Sequence, residues 1–120
     1  MKAILIDPYT MTVSLTEYNG DWKTIAPTIG AQSGLVDAVY PARNLSLFVD
    51  DEGLLYEGGN PHGYFQLVMG DNRTSVLAGK GLLVGFNVDG ENTDCNVSLM
   101  TVASWVRWLV PRRRDTSRDN

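Results

Sequence analysis

The sequence predicts a single α+β domain with a mainly antiparallel sheet, and three observations point to it. Short apolar or alternating runs of five to seven residues recur, each bounded by glycine, proline, asparagine or aspartate, which is the mark of strands joined by tight turns. Two segments instead carry apolar residues at helical spacing, Trp22 to Ile29 and Val97 to Val110. A chain of 120 residues, 43% hydrophobic and 20% charged, has ordinary globular usage and room for one modest core.

Lys2 to Ile6 reads as a first strand closed by Asp7-Pro8, because proline fixes its own φ and pushes the residue before it away from the helical region. In Met11 to Glu17 the apolar Met11, Val13 and Leu15 alternate with Thr12, Ser14 and Thr16, so the second strand pairs with the first as an N-terminal hairpin. Asn19-Gly20-Asp21 then offers a turn and an N-cap. Trp22, Ile25, Ala26 and Ile29 fall on one helix face, but Pro27 makes this helix short, kinked or broken near Ala26.

Strands are expected over Leu35 to Tyr40, Leu45 to Val49 and Leu54 to Tyr56, the last two joined by the acidic turn Asp50-Asp51-Glu52-Gly53. Glu57 to Gly63 is a flexible loop in which Asn60-Pro61 suits the start of a helix, and Tyr64 to Val68 fits either a short helix or a strand. Gly70 to Ser75 is polar loop and Val76 to Ala78 a short extended piece. Gly79-Lys80-Gly81 is a tight turn rather than a phosphate loop, since a strand follows where the Walker pattern needs serine or threonine and a helix. Leu82 to Val88 is the longest apolar strand and belongs at the centre of the sheet. The longer C-terminal helix runs from an Asn96 cap through Leu99, Val102, Val106 and Leu109 to a stop at Pro111, with the helices packed on one face of one sheet. The domain is thus residues 1–111, followed by a basic tail, 112–120, with almost nothing apolar to bury.

The opening MKAILIDP, the stretch LFVDDEGLL from Leu47 to Leu55, the pair Asn60-Pro61 and LAGKGLLVG from Leu77 to Gly85 together resemble the domain-of-unknown-function family 3846. The resemblance covers most of Met1 to Asp94. It implies a setting in phages, plasmids and the bacteria that host them, favours a helix at Tyr64 to Val68, and carries no characterised activity.

Charge and composition narrow the function classes. Residues 1–111 hold 12 acidic and 6 basic side chains, so the body repels phosphate backbones and nucleic-acid binding is not expected of it. Residues 112–120 carry four arginines against two aspartates, a weak basic element. No stretch is long and apolar enough to span a membrane, and no signal peptide precedes the first strand, so a cytoplasmic protein is expected and the acceptor triplets at Asn44, Asn72 and Asn96 carry no weight. A lone Cys95 and a lone His62 exclude an intrachain disulfide and cysteine- or histidine-rich metal sites within one chain, and no cofactor is implied.

A few residues bear chemistry of their own. The carboxylates Asp50, Asp51 and Glu52, and again Asp89, Glu91 and Asp94, are oxygen ligands of the kind calcium prefers, but neither run has the alternating ligand spacing of a calcium loop. Both read as turns. Cys95, just ahead of the last helix, is placed where a helix N-terminus lowers a thiol pKa, though nothing else completes a nucleophile's machinery. The aromatic residues Tyr56, Tyr64 and Phe65 with His62, Arg73 and Lys80 form a candidate ligand site, rings for stacking on a base and cations for phosphate. Trp105 and Trp108 flank the last helix's apolar stripe and are candidates for a partner or self-association patch. The expected function is that of a small non-enzymatic accessory protein of a phage or mobile element, acting by binding and antagonising a host protein such as a defence component. The alternative is a module that sequesters a nucleotide-derived signal.

Overall fold

The computed structural model describes residues 1–109, and in it ten strands and two helices follow one another along the chain. β1 (Lys2–Asp7) and β2 (Thr12–Glu17) form the expected antiparallel hairpin, register Lys2 to Glu17 through Asp7 to Thr12. Leu15 nonetheless stays exposed, because β2 is an edge strand whose apolar face is only partly covered. A 3-10 turn over Trp22–Thr24, capped by Asp21 Oδ1 accepting from the Lys23 N–H at 3.1 Å, leads into α1 (Ile25–Ile29). Pro27 is tolerated there because it sits in the first turn, where the N–H it lacks has no helical partner. Gly30 ends α1 in the left-handed conformation, φ 69°, and the Ala31 N–H donates to the Ala26 carbonyl.

β3 (Val36–Val39) and β4 (Leu45–Asp50) fall where the sequence puts them. The strand expected next does not form: Leu54 to Tyr56 is not extended into a ladder. Successive turns replace it, with the Gly53 N–H donating to the Asp50 carbonyl and the Leu55 N–H to that of Glu52, so the acidic run opens a long loop rather than a hairpin. Asn60 caps no helix either. Its Oδ1 accepts from the His62 N–H at 2.9 Å, and the chain enters β5 (Tyr64–Met69), a strand and not the helix that the family resemblance favours. Phe65 and Leu67 are buried while their neighbours are not, a period of two that packs one face only. β6 (Asn72–Arg73) folds back on β5 from within the expected polar loop, β7 (Leu77–Ala78) matches the short extended piece, and β8 (Gly81–Phe86) follows the tight turn at Gly79-Lys80.

The largest correction concerns the C-terminal end. After β9 (Asn92–Thr93), α2 (Leu99–Trp105) has only seven residues, and its cap is Ser98, whose Oγ accepts from the Thr101 N–H, not Asn96. At Val106 the backbone turns extended, φ −76° and ψ 128°, and β10 (Val106–Leu109) pairs with β5. Val106 and Trp108 pack on the core while Arg107 between them is exposed, so the same apolar residues satisfy a period of two once β5 offers an open edge. The expected tail 112–120, with Val110 and Pro111, lies outside the described residues.

Instead of one sheet there are two. The first has the order β2-β1-β8-β4-β3 with β9 on the end of β8, and β8 is central as expected. In the second, β5 is flanked by β10 on one side and by β7 and β6 on the other. All pairings are antiparallel. Ile4, Ile6, Leu47 and Leu83 point from the first sheet toward Phe65 and Leu67 of the second and Val102 of α2, forming the main core. Ala3, Leu82 and Val84 point the other way and meet Ile25 and Ile29 of α1. The helices therefore lie on opposite faces of the first sheet, because β1 and β8 are apolar on both sides and each side needs a cover.

Candidate functional site

β3 is the free end of the first sheet, and two grooves flank it on opposite faces. On the α1 face a groove of about 350 Å³ is lined by Trp22, Ile25, Leu35, Val36, Ala38 and Phe48, with Lys23 as its one charged member. α1 packs its buried Ile25 and Ile29 with Leu82 and Val84 of β8, while Trp22 stands 72% and Leu35 52% exposed. On the other face a groove of about 310 Å³ lies between β3 and the long loop, walled by Val39, Leu54, Leu55 and Val76 and rimmed by Asp37 and Asp51. Leu54 and Leu55 are exposed as well, so apolar surface continues around both sides of one strand.

The long loop is fixed by polar groups rather than by strand pairing. Tyr56 Oη donates to Asp50 Oδ2 at 2.8 Å and accepts from the Gln32 N–H at 3.4 Å, and Asp50, buried, also accepts from the Glu52 N–H. Burial, and secondarily the bond to Asp50, holds the Tyr56 phenol pKa above its ordinary value. Buried Asn60 donates from Nδ2 to the Gly53 carbonyl, and its own N–H donates to Tyr64 Oη at 2.7 Å. Thus Asp50, expected at an exposed acidic turn, is an internal acceptor. Among the described residues no three of His, Cys, Asp and Glu gather where they could hold a metal.

The six residues of the candidate ligand site have different surroundings. Phe65 is fully buried in the main core. Tyr56 and Tyr64 are committed to the loop's hydrogen bonds, and Tyr56 lines a shallow groove of about 470 Å³ with Gln32, Ser33, Glu52 and Leu55. The His62 ring covers Gly30, where a Cβ would fall 2.7 Å from Nε2. Arg73 stands exposed on β6 and Lys80 sits half-buried in the turn before β8. Trp105 and Trp108 are half-buried against the main core, and Trp108 is paired across the ladder with Phe65.

Cys95 is wholly buried, and burial pushes its thiol pKa up, opposite to the lowering that a helix N-terminus would bring. A further groove, about 490 Å³, was missed in the sequence: Arg43, Asn44, Phe86, Asn87, Asp94 and Asn96 line it where the β3–β4 turn meets the end of β8. Its asparagines sit in three separate connections, brought together by the pairing of β9 with β8 and by the Phe86 N–H donating to the Asn44 carbonyl. Trp22 and Leu35 were missed as surface residues for a different reason. Trp22 matches the helix-face spacing, but a 3-10 turn precedes α1 and swings it outward.

Fold and surface define an α+β two-sheet protein with apolar ground exposed around one edge strand. Within that class, the profile of the family described as domain of unknown function (DUF3846) matches residues 1–106, and the chain belongs to that family. No curated protein matches the chain, and no solved structure matches it. No helix among the described residues is long and apolar enough to cross a membrane.

Proposed function

We propose that this chain is a small accessory protein of a phage or other mobile element that acts in the host cytoplasm by binding rather than catalysis, antagonising a host protein such as a defence component. The observation that carries the reading is the pair Trp22 and Leu35, two large apolar side chains more than half exposed at the mouth of one groove. Tryptophan in particular is enriched where binding energy concentrates, and exposed apolar ground beside a groove is the surface a partner covers. The family resemblance supports the mobile-element setting. Affinity capture from lysate of the host, with wild type and Leu35→Asp as parallel baits, tests it: a protein held by wild type and lost by the variant supports the reading. Identical captured sets contradict it.

A second reading has its own observation. The groove of about 490 Å³ has Arg43 and Phe86 among its lining residues, a cation and an aromatic ring of the kind that suits a nucleotide-derived signal, and its size falls in the usual range for small-molecule sites. A thermal shift with one nucleotide class, abolished by Arg43→Ala, supports sequestration of such a signal; no shift across mono-, di- and cyclic nucleotides removes it.

A further inference from the structure

We infer that the outer edge of β3 receives an extended strand of the bound protein, and that this strand carries a lysine or arginine between two apolar residues. The inference rests on the protein-binding reading above and specifies its contact. The Asp51 N–H donates to the Leu35 carbonyl, and the β3–β4 register places Asp37 opposite Val49 and Val39 opposite Leu47. Because the hydrogen-bonding direction alternates along an antiparallel strand, Leu35, Asp37 and Val39 spend their main-chain groups on β4, and those of Val36 and Ala38 point away from the sheet. The Ala38 N–H fits this direction: it donates to its neighbour's Asp37 Oδ1 at 2.9 Å instead of to β4. No strand among the described residues pairs with that edge.

The side chains then set the sequence of the incoming strand. Residues paired with Val36 and Ala38 project to the α1 face, into the apolar groove of Trp22 and Phe48. The residue between them, paired with Asp37, projects to the other face, toward a rim bearing Asp37 and Asp51. Apolar, basic, apolar is therefore the complementary order.

The same charges argue against a second copy as the occupant. Pairing through the outward groups of Val36 and Ala38 allows three antiparallel self-registers. One sets the two Asp37 side chains directly opposite each other, and the other two leave them one diagonal apart on the same face, where like charges repel. A strand with a cation at that position has attraction instead. Until it arrives, the Asp37 carboxylate covers the Ala38 N–H and blunts the edge.

Selection of displayed dodecapeptides on the full-length protein tests the inference, followed by titration of the selected peptides into isotope-labelled protein. The expected result is peptides with the apolar-basic-apolar order that slow amide exchange at Val36 and Ala38. Methylating the peptide main chain at every second amide should weaken binding at least tenfold in one phase and leave it unchanged in the other. Ala38→Pro should weaken binding likewise, since proline is tolerated where an edge N–H points outward; Asp37→Lys should turn the preference to acidic peptides. Failure to select any peptide, or binding indifferent to methylation, overturns strand addition, while capture by Leu35-dependent contact still judges protein binding by itself. Concentration-dependent dimers protecting Val36 and Ala38 overturn it in favour of a second copy, and peptides that bind only after residues 110–120 are deleted overturn it in favour of this chain's own tail.

Discussion

The side-chain amide of Asn60 donates to the main-chain carbonyl of Gly53 at 3.0 Å, and both residues are buried. This bond ties the two ends of the loop that presents Leu54 and Leu55, and no strand pairing does so in its place. Asn60→Ala leaves a buried carbonyl without its donor and should cost about 1–3 kcal/mol. In a domain of this size that lowers Tm by roughly 4–12 °C, read by a thermal scan. An unchanged Tm would show that the loop is held by other means.

Gly85 lies where Thr93 of β9 crosses β8, and a Cβ there would collide with the main-chain oxygen of Asp94. Backbone cannot move aside as a flexible side chain can. Gly85→Ala should destabilise by about 3 kcal/mol or more, with amide exchange rising first in Asn92 to Cys95. Wild-type stability for that variant would contradict the crossing.

On α2, Val102 is fully buried and Met100 is 85% exposed. Val102→Asp should remove about 4 kcal/mol or more, a large share of the about 5–15 kcal/mol that holds a domain of ordinary stability together. Met100→Asp, in the first turn, should change stability by no more than about 0.5 kcal/mol. Denaturant melts of the two variants check the helix face, and equal effects would show it wrongly assigned.

These helix residues also show what was legible in the sequence. Strict alternation placed β2, a continuous apolar run placed β8, and Pro27 pointed to a helix short, kinked or broken, of which the five-residue Ile25–Ile29 is the short one, since each is a local signal. The C-terminal end lacks such a signal: Leu99, Val102 and Val106 fit a helix of any length, and only the open edge of β5, a tertiary fact, makes Val106 a strand residue. Leu54 and Leu55 failed for a related reason. Adjacent leucines look like a buried strand, but the bonds of Asp50 and Asn60 hold that segment in turns with both side chains outside. The candidate ligand residues were chosen by chemistry and nearness in sequence, neither of which reveals that Phe65 is core and Tyr64 a loop clasp.

Cys95 gives a prediction in pH. Its folded thiol pKa lies above the unfolded value of about 8.5, so the unfolded chain loses the proton first as pH rises. The stability this group contributes is present in full below pH about 8.5 and is lost as pH rises through the folded value. Tyr18 and Tyr56, both raised chiefly by burial, add a second decline above pH about 10. Tm measured from pH 7 to 11 should fall in two stages in wild type, and Cys95→Ala should lack the first. A first stage that persists in Cys95→Ala would assign it to another group.

The central claim is that the surface at Trp22 and Leu35 is where a partner protein docks. A photo-reactive phenylalanine analogue at Trp22, irradiated in host lysate, tests it most directly, with the same analogue at Tyr9, 74% exposed in the β1–β2 turn, as the comparison. The account predicts one discrete adduct from position 22 that disappears when Leu35→Asp is added, and none from position 9. Equal labelling from both positions, or an adduct indifferent to Leu35→Asp, would contradict it.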